Sequence, residues 1–541
     1  MLDLIIRNGT VIDGSGAPGV RADVGVGDGH VLVIGDLSGM IAAREIDATG
    51  RCVSPGFIDI HTHSDQSTLV NPRMESKVRQ GVTTEIGGLC GLSLAPLGTA
   101  DTPAAARVTH DVAKIGMHRT WLTLSDLYAR VEQTGLACNY ASFVGHGVIR
   151  AAVMGYDDRP PTDDERAGMQ RLLRQSMADG ALGLSTGLIY PPGIFAQTAE
   201  ITELCSVLHE TNGLYTSHIR NEGNMLHEAV NEFVTVCRDA GVRGQMSHHK
   251  ADGKANWGKV HGSLQQLDDA RSAGVDVMCD QYPYTAYSTG LAMVLPPWTL
   301  DGDRAATLRR LDDSAARDRI RADIATGLPG WENMAVESGW ENMVVTGAPH
   351  MAECAGKSLA EIANARGSDE VDATCALLIA HQMDVSIVGH SMDEGDVETV
   401  MRWPLTSIGS DGSALAPYGP LSTGMPHPRS YGTFPRVLGR YVRERGTLKR
   451  EEAIHKMTGL PAARLNLSQR GLLRTGYWAD IAVWDAATVA DTATYTAPHQ
   501  YPVGITTVIV NGMVVINERG EQSGILPGRV LRHHEYSGSV R

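Results

Sequence analysis

Two histidines that follow an apolar run could bind a metal ion. Residues 57–60 form a largely apolar run of strand length, and His61 and His63 come directly after it. In a strand, side chains two residues apart point to the same side. Two neutral imidazoles at the end of a strand can therefore bind one ion. Because unrelated His-x-His pairs are common, the prediction depends on the strand and on the preceding Pro55-Gly56 break.

Polar residues that follow later β-prone runs could complete such a site. The candidates are Cys90, His218, either His248 or His249, and Asp411. A thiolate together with imidazoles suits Zn²⁺. His218 and His248 are 30 residues apart, one βα unit, which places them on adjacent strands. Taken singly, His218 could cap a helix and Asp411 could form an Asx turn. Their recurrence at successive strand ends predicts a joint metal centre.

The elements that would position these residues are strands that alternate with helices. From about residue 56 to residue 470, helical stretches separate short apolar runs at 56–60, 141–144, 182–186, 214–217, 275–279, 385–388 and 405–409. This alternation predicts βα units, a parallel sheet and an α/β fold class. About eight such runs over roughly 400 residues favour a closed barrel over an open sheet.

Both ends of the chain read as β structure. Asp28-Gly29 and Asn511-Gly512 each lie between alternating apolar residues, and both dipeptides favour tight hairpin turns. We therefore expect a small sheet assembled from residues 1–55 and 471–541, which encloses a barrel at 56–470.

One segment, residues 285–345, interrupts the alternation. It contains a near-duplicate motif, Gly-Trp-Glu-Asn-Met at 330–334 and again at 339–343. Two copies are too few for a repeat array. We interpret the segment as an insertion that could act as a lid. An ordinary helical excursion is the alternative.

Composition excludes several classes of function. The 541-residue chain has 47 Lys+Arg and 62 Asp+Glu, a formal net charge of −15, and no basic run, which argues against a nucleic-acid partner. No stretch of about 18 apolar residues predicts a membrane span, and no secretory signal is visible. The eight cysteines are scattered without a CxxC pair, a usage typical of the reducing cytoplasm.

Several motifs together resemble those of the N-acyl-D-amino-acid deacylases (D-aminoacylases) of the amidohydrolase superfamily. They are GFID and HTH at 56–63, the Cys90 loop, SHIRNEG at 217–223, SHHK at 247–250, DQYPY at 280–284, GSDG at 409–412 and HPRSYGTFPR at 427–436. The resemblance runs from about residue 4 to residue 515. It implies a distorted (β/α)8 TIM barrel at 56–470 and a small β-sandwich formed by residues 1–55 and 471–541.

The resemblance also implies roles for individual residues. Cys90, His218 and His248 would hold one tightly bound zinc ion, and His61 and His63 would bind a second, weaker one. Asp411 would contact the weaker site and act as general base and acid. The substrate carboxylate would be held by Lys250, Tyr282, Ser288 and Arg429, with Tyr284 as the alternative to Tyr282.

These roles predict zinc-dependent hydrolysis of N-acyl-D-amino acids to a carboxylic acid and a free D-amino acid. Cyclic-amide hydrolases such as hydantoinases and dihydroorotases are the nearest rival, but residues 182–187 offer no lysine for carboxylation. A catalytically inactive assembly protein is a second rival, yet all six candidate ligands are competent types. The apolar residues 290–298 suggest a preference for apolar D-amino-acid side chains. The oligomeric state is not predicted.

Overall fold

The computed structural model describes residues 2–348 and 351–533. The end of the predicted unit 471–541, from residue 534, lies outside the described residues. Within the described ranges the strands are β1 (Leu2–Val11), β2 (Val20–Gly27), β3 (His30–Gly35), β4 (Ala42–Asp47), β5 (Cys52–Pro55), β6 (Phe57–Asp59), β7 (Val82–Gly87), β8 (Asn139–Ser142), β9 (Val144–Gly145), β10 (Gly183–Gly187), β11 (Leu214–His218), β12 (Arg243–Met246), β13 (Val277–Gln281), β14 (Tyr287–Gly290), β15 (Met343–Gly347), β16 (Ser386–Gly389), β17 (Thr406–Ile408), β18 (Ile481–Trp484), β19 (Ile505–Val510) and β20 (Met513–Ile516).

Helices fill most of the connections between these strands. They are α1 (Ser67–Val70), α2 (Glu75–Val78), α3 (Pro103–Lys114), α4 (Leu124–Thr134), α5 (His146–Met154), α6 (Asp163–Ala178), α7 (Thr198–His209), α8 (Leu226–Ala240), α9 (Val260–Ser272), α10 (Arg304–Asp312), α11 (Ser314–Thr326), α12 (Met334–Glu337), α13 (Leu359–Arg366), α14 (Glu370–Ala380), α15 (Glu394–Arg402), α16 (Arg429–Arg436), α17 (Arg450–Met457) and α18 (Gly459–Arg464). A π-helix, Val437–Glu444, continues α16.

An eight-stranded sheet is built from both ends of the chain. Its strand order is β20-β19-β18-β5-β1-β2-β3, with β4 paired to β1. Both predicted hairpin turns are confirmed: Asp28 and Gly29 have φ of 51° and 78°, and Asn511 and Gly512 have φ of 49° and 80°. Positive φ at both central residues is what a type I′ turn requires. The two turns pack together, since a Cβ on Gly512 would lie 2.7 Å from the Gly29 Cα.

Most strands of the predicted βα units lie in two parallel sheets. One sheet has the order β6-β7-β8 and another β17-β13-β12-β11-β10-β9. Backbone hydrogen bonds join the two sheets at both ends. The Leu182 N–H, just before β10, donates to the Ser142 carbonyl of β8, and the Asp411 N–H donates to the His61 carbonyl. The residues that follow β6 and β17 therefore lie side by side.

Capping explains where α6 begins. The Thr162 hydroxyl accepts from the Glu165 N–H, and the Glu165 carboxylate accepts from the Thr162 N–H. This reciprocal pair satisfies two amide donors that a helix N-terminus would otherwise leave free. Acidic residues in the first turn also complement the positive end of the helix dipole.

The interrupting segment has an apolar core of its own, and its sheet corrects one predicted strand. The antiparallel sheet β14-β16-β15 packs with a cluster of buried apolar residues that runs from Leu291 to Ile387. Residues 385–388 were expected in the parallel sheet, but β16 pairs with β14 and β15 instead. An apolar run of strand length does not reveal which core buries it, which is why the expectation was wrong.

No helix among the described residues is long and apolar enough to cross a membrane. All eight cysteines are free thiols and buried.

Candidate metal centre and active site

A cavity brings most of the predicted site residues together. It lies beyond the carboxyl ends of the parallel strands, where the βα loops begin. Its lining residues are His63, Cys90, Ile189, Tyr190, His218, Glu222, His248, Lys250, Asp252, Tyr282, Tyr287, Ser288, Thr289, Glu332, Met334 and Asp411.

Three of the predicted ligands form one donor group. Cys90 follows β7, His218 ends β11, and His248 follows β12. The Cys90 Sγ lies 3.4 Å from His248 Nε2, and His248 Nε2 lies 2.9 Å from His218 Nδ1. All three residues are buried. Their donor atoms lie within 4.8 Å of one another, so one ion could contact all three.

The second donor group shares the same cysteine. His61 Nε2 is 3.3 Å from Cys90 Sγ and 3.5 Å from Asp411 Oδ1, while His63 Nε2 is 3.0 Å from Asp411 Oδ1. Donor atoms of His61, His63, Cys90 and Asp411 lie within 4.8 Å of one another. The Cys90 sulfur therefore lies between the two groups. His249, the alternative to His248, instead contacts the Ser263 hydroxyl at 2.8 Å.

Three of these ligands have left-handed backbone conformations. The φ angles of Cys90, His248 and Asp411 are 54°, 35° and 52°. Non-glycine residues rarely adopt this region, and such strain concentrates at functional sites. At these positions the backbone turns sharply just after a strand, which directs the side chains toward the cavity.

Neighbouring charged groups favour the ionised forms of Cys90 and Asp411. Burial alone would raise the pKa of the Cys90 thiol, but His61 and His248 hold it well below its usual range. Burial would also raise the pKa of Asp411, but Arg429, His248 and the hydrogen bond from His63 hold it well below its usual range. A thiolate and a carboxylate are the forms that bind a metal ion.

Two buried carboxylates orient the imidazoles. Asp280 Oδ1 lies 3.0 Å from His61 Nδ1 and accepts a hydrogen bond from the backbone N–H of His248 at 2.9 Å. Glu222 Oε1 lies 3.1 Å from His248 Nδ1. A carboxylate on the outer ring nitrogen fixes the tautomer and the ring orientation of a metal-binding histidine. Arg220, in contrast, pairs with Glu232 away from the cavity.

A buried lysine beneath the site holds the loop that carries Asp411. Lys77 Nζ donates to Asp59 Oδ2 at 2.8 Å, to Ser410 Oγ at 2.7 Å and to the Gly412 carbonyl at 3.3 Å. It also lies 3.1 Å from Glu85. Because Ser410 and Gly412 flank Asp411, Lys77 ties that loop to β6 and β7.

The four predicted carboxylate-binding residues have different surroundings. Lys250, Tyr282 and Ser288 line the cavity. Lys250 Nζ donates to Glu222 Oε1 at 2.6 Å and lies 5.4 Å from the centre of the Tyr282 ring. Arg429 instead pairs with Asp411 at 2.8 Å and lies 5.0 Å from the same ring. Tyr284 packs against Arg436 and His427.

Comparisons with known proteins agree with this arrangement. The model of the amidohydrolase family matches residues 44–516. The D-aminoacylase of Alcaligenes xylosoxydans xylosoxydans is 38% identical over 98% of this chain and 97% of that protein. The chain belongs to the N-acyl-D-amino-acid deacylases of the amidohydrolase family.

Two further members of the family are similar along the whole chain. The N-acyl-D-glutamate deacylase of the same organism is 39% identical over 98% of this chain and 96% of its own. A solved structure of N-acyl-D-glutamate deacylase from Bordetella bronchiseptica, complexed with zinc and a phosphonate mimic of the tetrahedral intermediate, has a TM-score of 0.82. It is 35% identical and covers 98% of this chain and 99% of its own. The deacylase therefore has the amidohydrolase fold, which is of the TIM-barrel type.

Sequence reasoning missed two supporting residues of this deacylase. Asp280 opens the DQYPY motif, and its position at the end of β13 was a signal that could have identified it. Lys77 lies in the short helix α2, and no local pattern marks it as buried. Its role depends on partners in β6, β7 and the loop after β17.

Proposed function

We propose that this chain is a zinc-dependent deacylase that hydrolyses the acyl amide of N-acyl-D-amino acids. The products are a carboxylic acid and a free D-amino acid. The observation that carries the proposal is the position of the Cys90 sulfur, within 3.4 Å of both His61 and His248, between two donor groups that share one cavity. The solved relative from Bordetella bronchiseptica, which is complexed with zinc and a tetrahedral mimic, supports the same chemistry.

The donor atoms fit zinc. Cys90, His218 and His248 offer one sulfur and two nitrogen atoms, a set that suits Zn²⁺ and leaves a position for a further ligand. His61, His63 and Asp411, with Cys90 shared, would hold a second ion more weakly. When bound, zinc lowers the pKa of a coordinated water and polarises a carbonyl oxygen.

Asp411 performs the proton transfers. Its carboxylate is ionised in the resting site, because Arg429 and neighbouring imidazoles stabilise the charge. Asp411 accepts the proton of the attacking water and then protonates the departing amine nitrogen. His63, whose Nε2 lies 3.0 Å from Asp411 Oδ1, orients that carboxylate.

Lys250, Tyr282, Ser288 and Arg429 bind the substrate carboxylate in this proposal. Tyr282 is preferred over Tyr284 because it lines the cavity and lies between two cations, Lys250 and Arg429. When the substrate carboxylate and the scissile amide are both held, the side chain of only one enantiomer points into open space. That geometry would discriminate D from L substrates.

The domain organisation that supports this activity is also proposed. Strands β6, β7, β8 with β9, β10, β11, β12, β13 and β17 would form a distorted (β/α)8 barrel within 56–470. The eight-stranded terminal sheet would be the β-sandwich of residues 1–55 and 471–541. The lid predicted at 285–345 would extend to about residue 390, since its apolar core continues to Ile387.

Cyclic-amide hydrolysis remains the alternative reaction, and a non-catalytic assembly role is less well supported. Strand β10 has no lysine, and Cys90 contributes the ligand shared between the donor groups. One relative is named a D-aminoacylase, without a side chain, and the other is named for N-acyl-D-glutamate, so overall similarity does not decide the side-chain preference. We further propose a cytoplasmic enzyme whose partner is this small substrate, with no nucleic-acid or membrane partner.

The test combines metal analysis with a pair of enantiomers. We expect the purified protein to contain zinc and to hydrolyse N-acetyl-D-methionine at least about 100-fold faster than N-acetyl-L-methionine, a difference of about 2.7 kcal/mol. Chelation should abolish hydrolysis, and added zinc should restore it. Equal rates on the two enantiomers, or hydrolysis that survives complete removal of metal, would contradict the proposal.

A further inference from the structure

A buried histidine joins the two segments that carry the proposed ligands of the substrate carboxylate. Arg429 begins α16, whereas Tyr282 and Ser288 lie on either side of Ala286, near the start of the interrupting segment. His427 is 4% exposed, and its Nδ1 lies 3.0 Å from the Arg429 backbone nitrogen. Its Nε2 lies 2.9 Å from the Ala286 carbonyl oxygen. One imidazole therefore bridges the two segments.

The two contacts fix the tautomer of His427. A backbone N–H can only donate, so Nδ1 accepts from Arg429. A carbonyl oxygen can only accept, so Nε2 carries the proton and donates to Ala286. Burial and the neighbouring Arg429 guanidinium hold the pKa of His427 well below its usual range. The ring therefore keeps this one neutral form at neutral pH.

Aromatic rings hold the imidazole in place. The ring centres of Tyr284 and Tyr495 lie 5.1 Å and 5.0 Å from that of His427, and both rings are nearly perpendicular to it, at 89° and 84°. The Tyr282 ring lies 6.2 Å away. Tyr495 belongs to the connection between β18 and β19, so the C-terminal part of the chain contributes to this packing. Edge-to-face contacts on several sides restrict rotation of the imidazole, and its two hydrogen bonds keep their directions.

The bridge sets the distance between the two halves of the proposed carboxylate site. The first amides of a helix have no acceptor within the helix, and His427 supplies one to the Arg429 N–H from outside. The start of α16 is thereby held relative to Ala286 and, two residues further on, Ser288. The Arg429 guanidinium lies 3.4 Å from the Ser288 carbonyl oxygen and 2.8 Å from the Asp411 carboxylate. A shift of α16 would therefore change both contacts.

We propose that His427 is a positioning residue for recognition of the substrate carboxylate. Its two hydrogen bonds hold Arg429 and the segment from Tyr282 to Ser288 at the separation that a carboxylate requires. The inference rests on the proposed deacylase function and adds a residue that acts through Arg429. Two substitutions separate the bonds, because the side-chain oxygen of asparagine can replace Nδ1 as an acceptor and the side-chain nitrogen of glutamine can replace Nε2 as a donor.

The experiment measures kcat and KM for N-acetyl-D-methionine and for N-acetyl-D-methionine amide, which lacks the carboxylate, by the release of acetate. His427→Asn loses the bond to Ala286, and His427→Gln loses the bond to Arg429. Each should lower the acid-to-amide ratio of kcat/KM about three- to tenfold, the effect of one hydrogen bond. Most of that change should be a higher KM for the acid, with kcat altered less.

Two further variants frame these results. His427→Leu removes both bonds and should lower the acid-to-amide ratio more than either single loss. His390→Gln is the matched control, since the His390 ring also packs on Tyr495, at 4.7 Å between ring centres. It should keep the ratio of the unmodified enzyme.

The outcomes separate this inference from the deacylase function. Folded His427→Asn and His427→Gln variants that keep the acid-to-amide ratio would overturn the role of His427 alone. Equal losses on the two substrates would do the same, because they mark a purely structural residue. Hydrolysis of neither substrate by the unmodified enzyme would overturn the deacylase function as well.

A variant at a neighbouring residue keeps the test open if neither substitution of His427 folds. Tyr495→Leu removes a ring that packs on the imidazole and leaves both of its nitrogen atoms in the chain. It should lower the acid-to-amide ratio in the same direction, and an unchanged ratio there would equally overturn the inference.

Discussion

Arg429 and Asp411 form a buried ion pair, with Arg429 Nη1 2.8 Å from Asp411 Oδ2. The two residues were expected in separate roles, one as a ligand for the substrate carboxylate and the other as the general base. Their contact couples these roles, since the guanidinium that would bind the substrate also stabilises the ionised base. Arg429 also donates to the Ser288 carbonyl at 3.4 Å, which ties this pair to the segment predicted to be a lid.

Replacement of Arg429 tests the coupling. Arg429→Lys should lower kcat/KM for N-acetyl-D-methionine about 10–100-fold, because lysine cannot reproduce two parallel hydrogen bonds at once. The loss should be smaller for N-acetyl-D-methionine amide, which lacks the carboxylate. Arg436→Lys, on the same helix but paired with Asp491, is the control and should retain near-normal kinetics. Equal losses on the acid and the amide would remove Arg429 from carboxylate binding.

Replacement of Asp411 should separate chemistry from tight metal binding. In Asp411→Ala we expect zinc at Cys90, His218 and His248 to remain while kcat falls about 10²–10⁴-fold, the usual contribution of general acid–base catalysis. Zinc content by elemental analysis and kcat from steady-state assays would be measured on the same preparation. Retained turnover would exclude Asp411 as the general base.

Cys90 should matter for both donor groups. Because its sulfur lies 3.3 Å from His61 Nε2 and 3.4 Å from His248 Nε2, Cys90→Ala should lower total zinc content to well below one ion per chain. Cys279→Ala is the matched control, since the Cys279 thiol is also buried but contacts Thr406. Full zinc occupancy in Cys90→Ala would place the metal elsewhere.

Glu85 should make stability depend on pH. Burial raises the pKa of Glu85 to about 7, while an unfolded glutamate titrates near 4.3. The folded state therefore binds the proton more tightly, and the free energy of unfolding falls as pH rises from about 4 to about 7. Between pH 5 and pH 8 this group accounts for roughly 2–3 kcal/mol.

Urea unfolding of Glu85→Gln measures this contribution. Glutamine mimics the protonated acid, so the variant should lose less stability than the unmodified protein between pH 5 and pH 8. Glu518→Gln, at an exposed pair with Arg44, should keep the pH dependence of the unmodified protein. Identical pH dependence in Glu85→Gln would show that Glu85 is ionised throughout this range.

Local patterns predicted the hairpins and several strands, but not which sheet each strand joins. The Asn511-Gly512 turn depends only on its own residues, so its prediction was confirmed. Strand β12 (Arg243–Met246) was not predicted because its sequence, RGQM, is largely polar. Its Gln245 is buried through a hydrogen bond to Asp280, a partner 35 residues away. Residues 385–388 were wrongly assigned to the parallel sheet, because their apolar character fits the separate apolar core of the interrupting segment equally well.

The candidate site was largely predictable because its ligands follow strands. Cys90, His218, Asp411 and either His248 or His249 were recognised from that placement, and the structure brings the first three and His248 together with His61 and His63. Lys77 and the Arg429–Asp411 pair could not be anticipated, because each depends on contacts between segments more than 15 residues apart. Glu332 also lines the cavity, and it lies in the duplicated Gly-Trp-Glu-Asn-Met motif, to which no catalytic or binding role was assigned.

The most direct measurement compares linear and cyclic amides on the zinc-loaded protein. Initial rates would be recorded for N-acetyl-D-methionine, hydantoin and dihydrouracil under identical conditions. The account predicts efficient, zinc-dependent hydrolysis of N-acetyl-D-methionine and negligible hydrolysis of both cyclic amides. Hydrolysis of hydantoin or dihydrouracil, together with no activity on any N-acyl-D-amino acid, would contradict it.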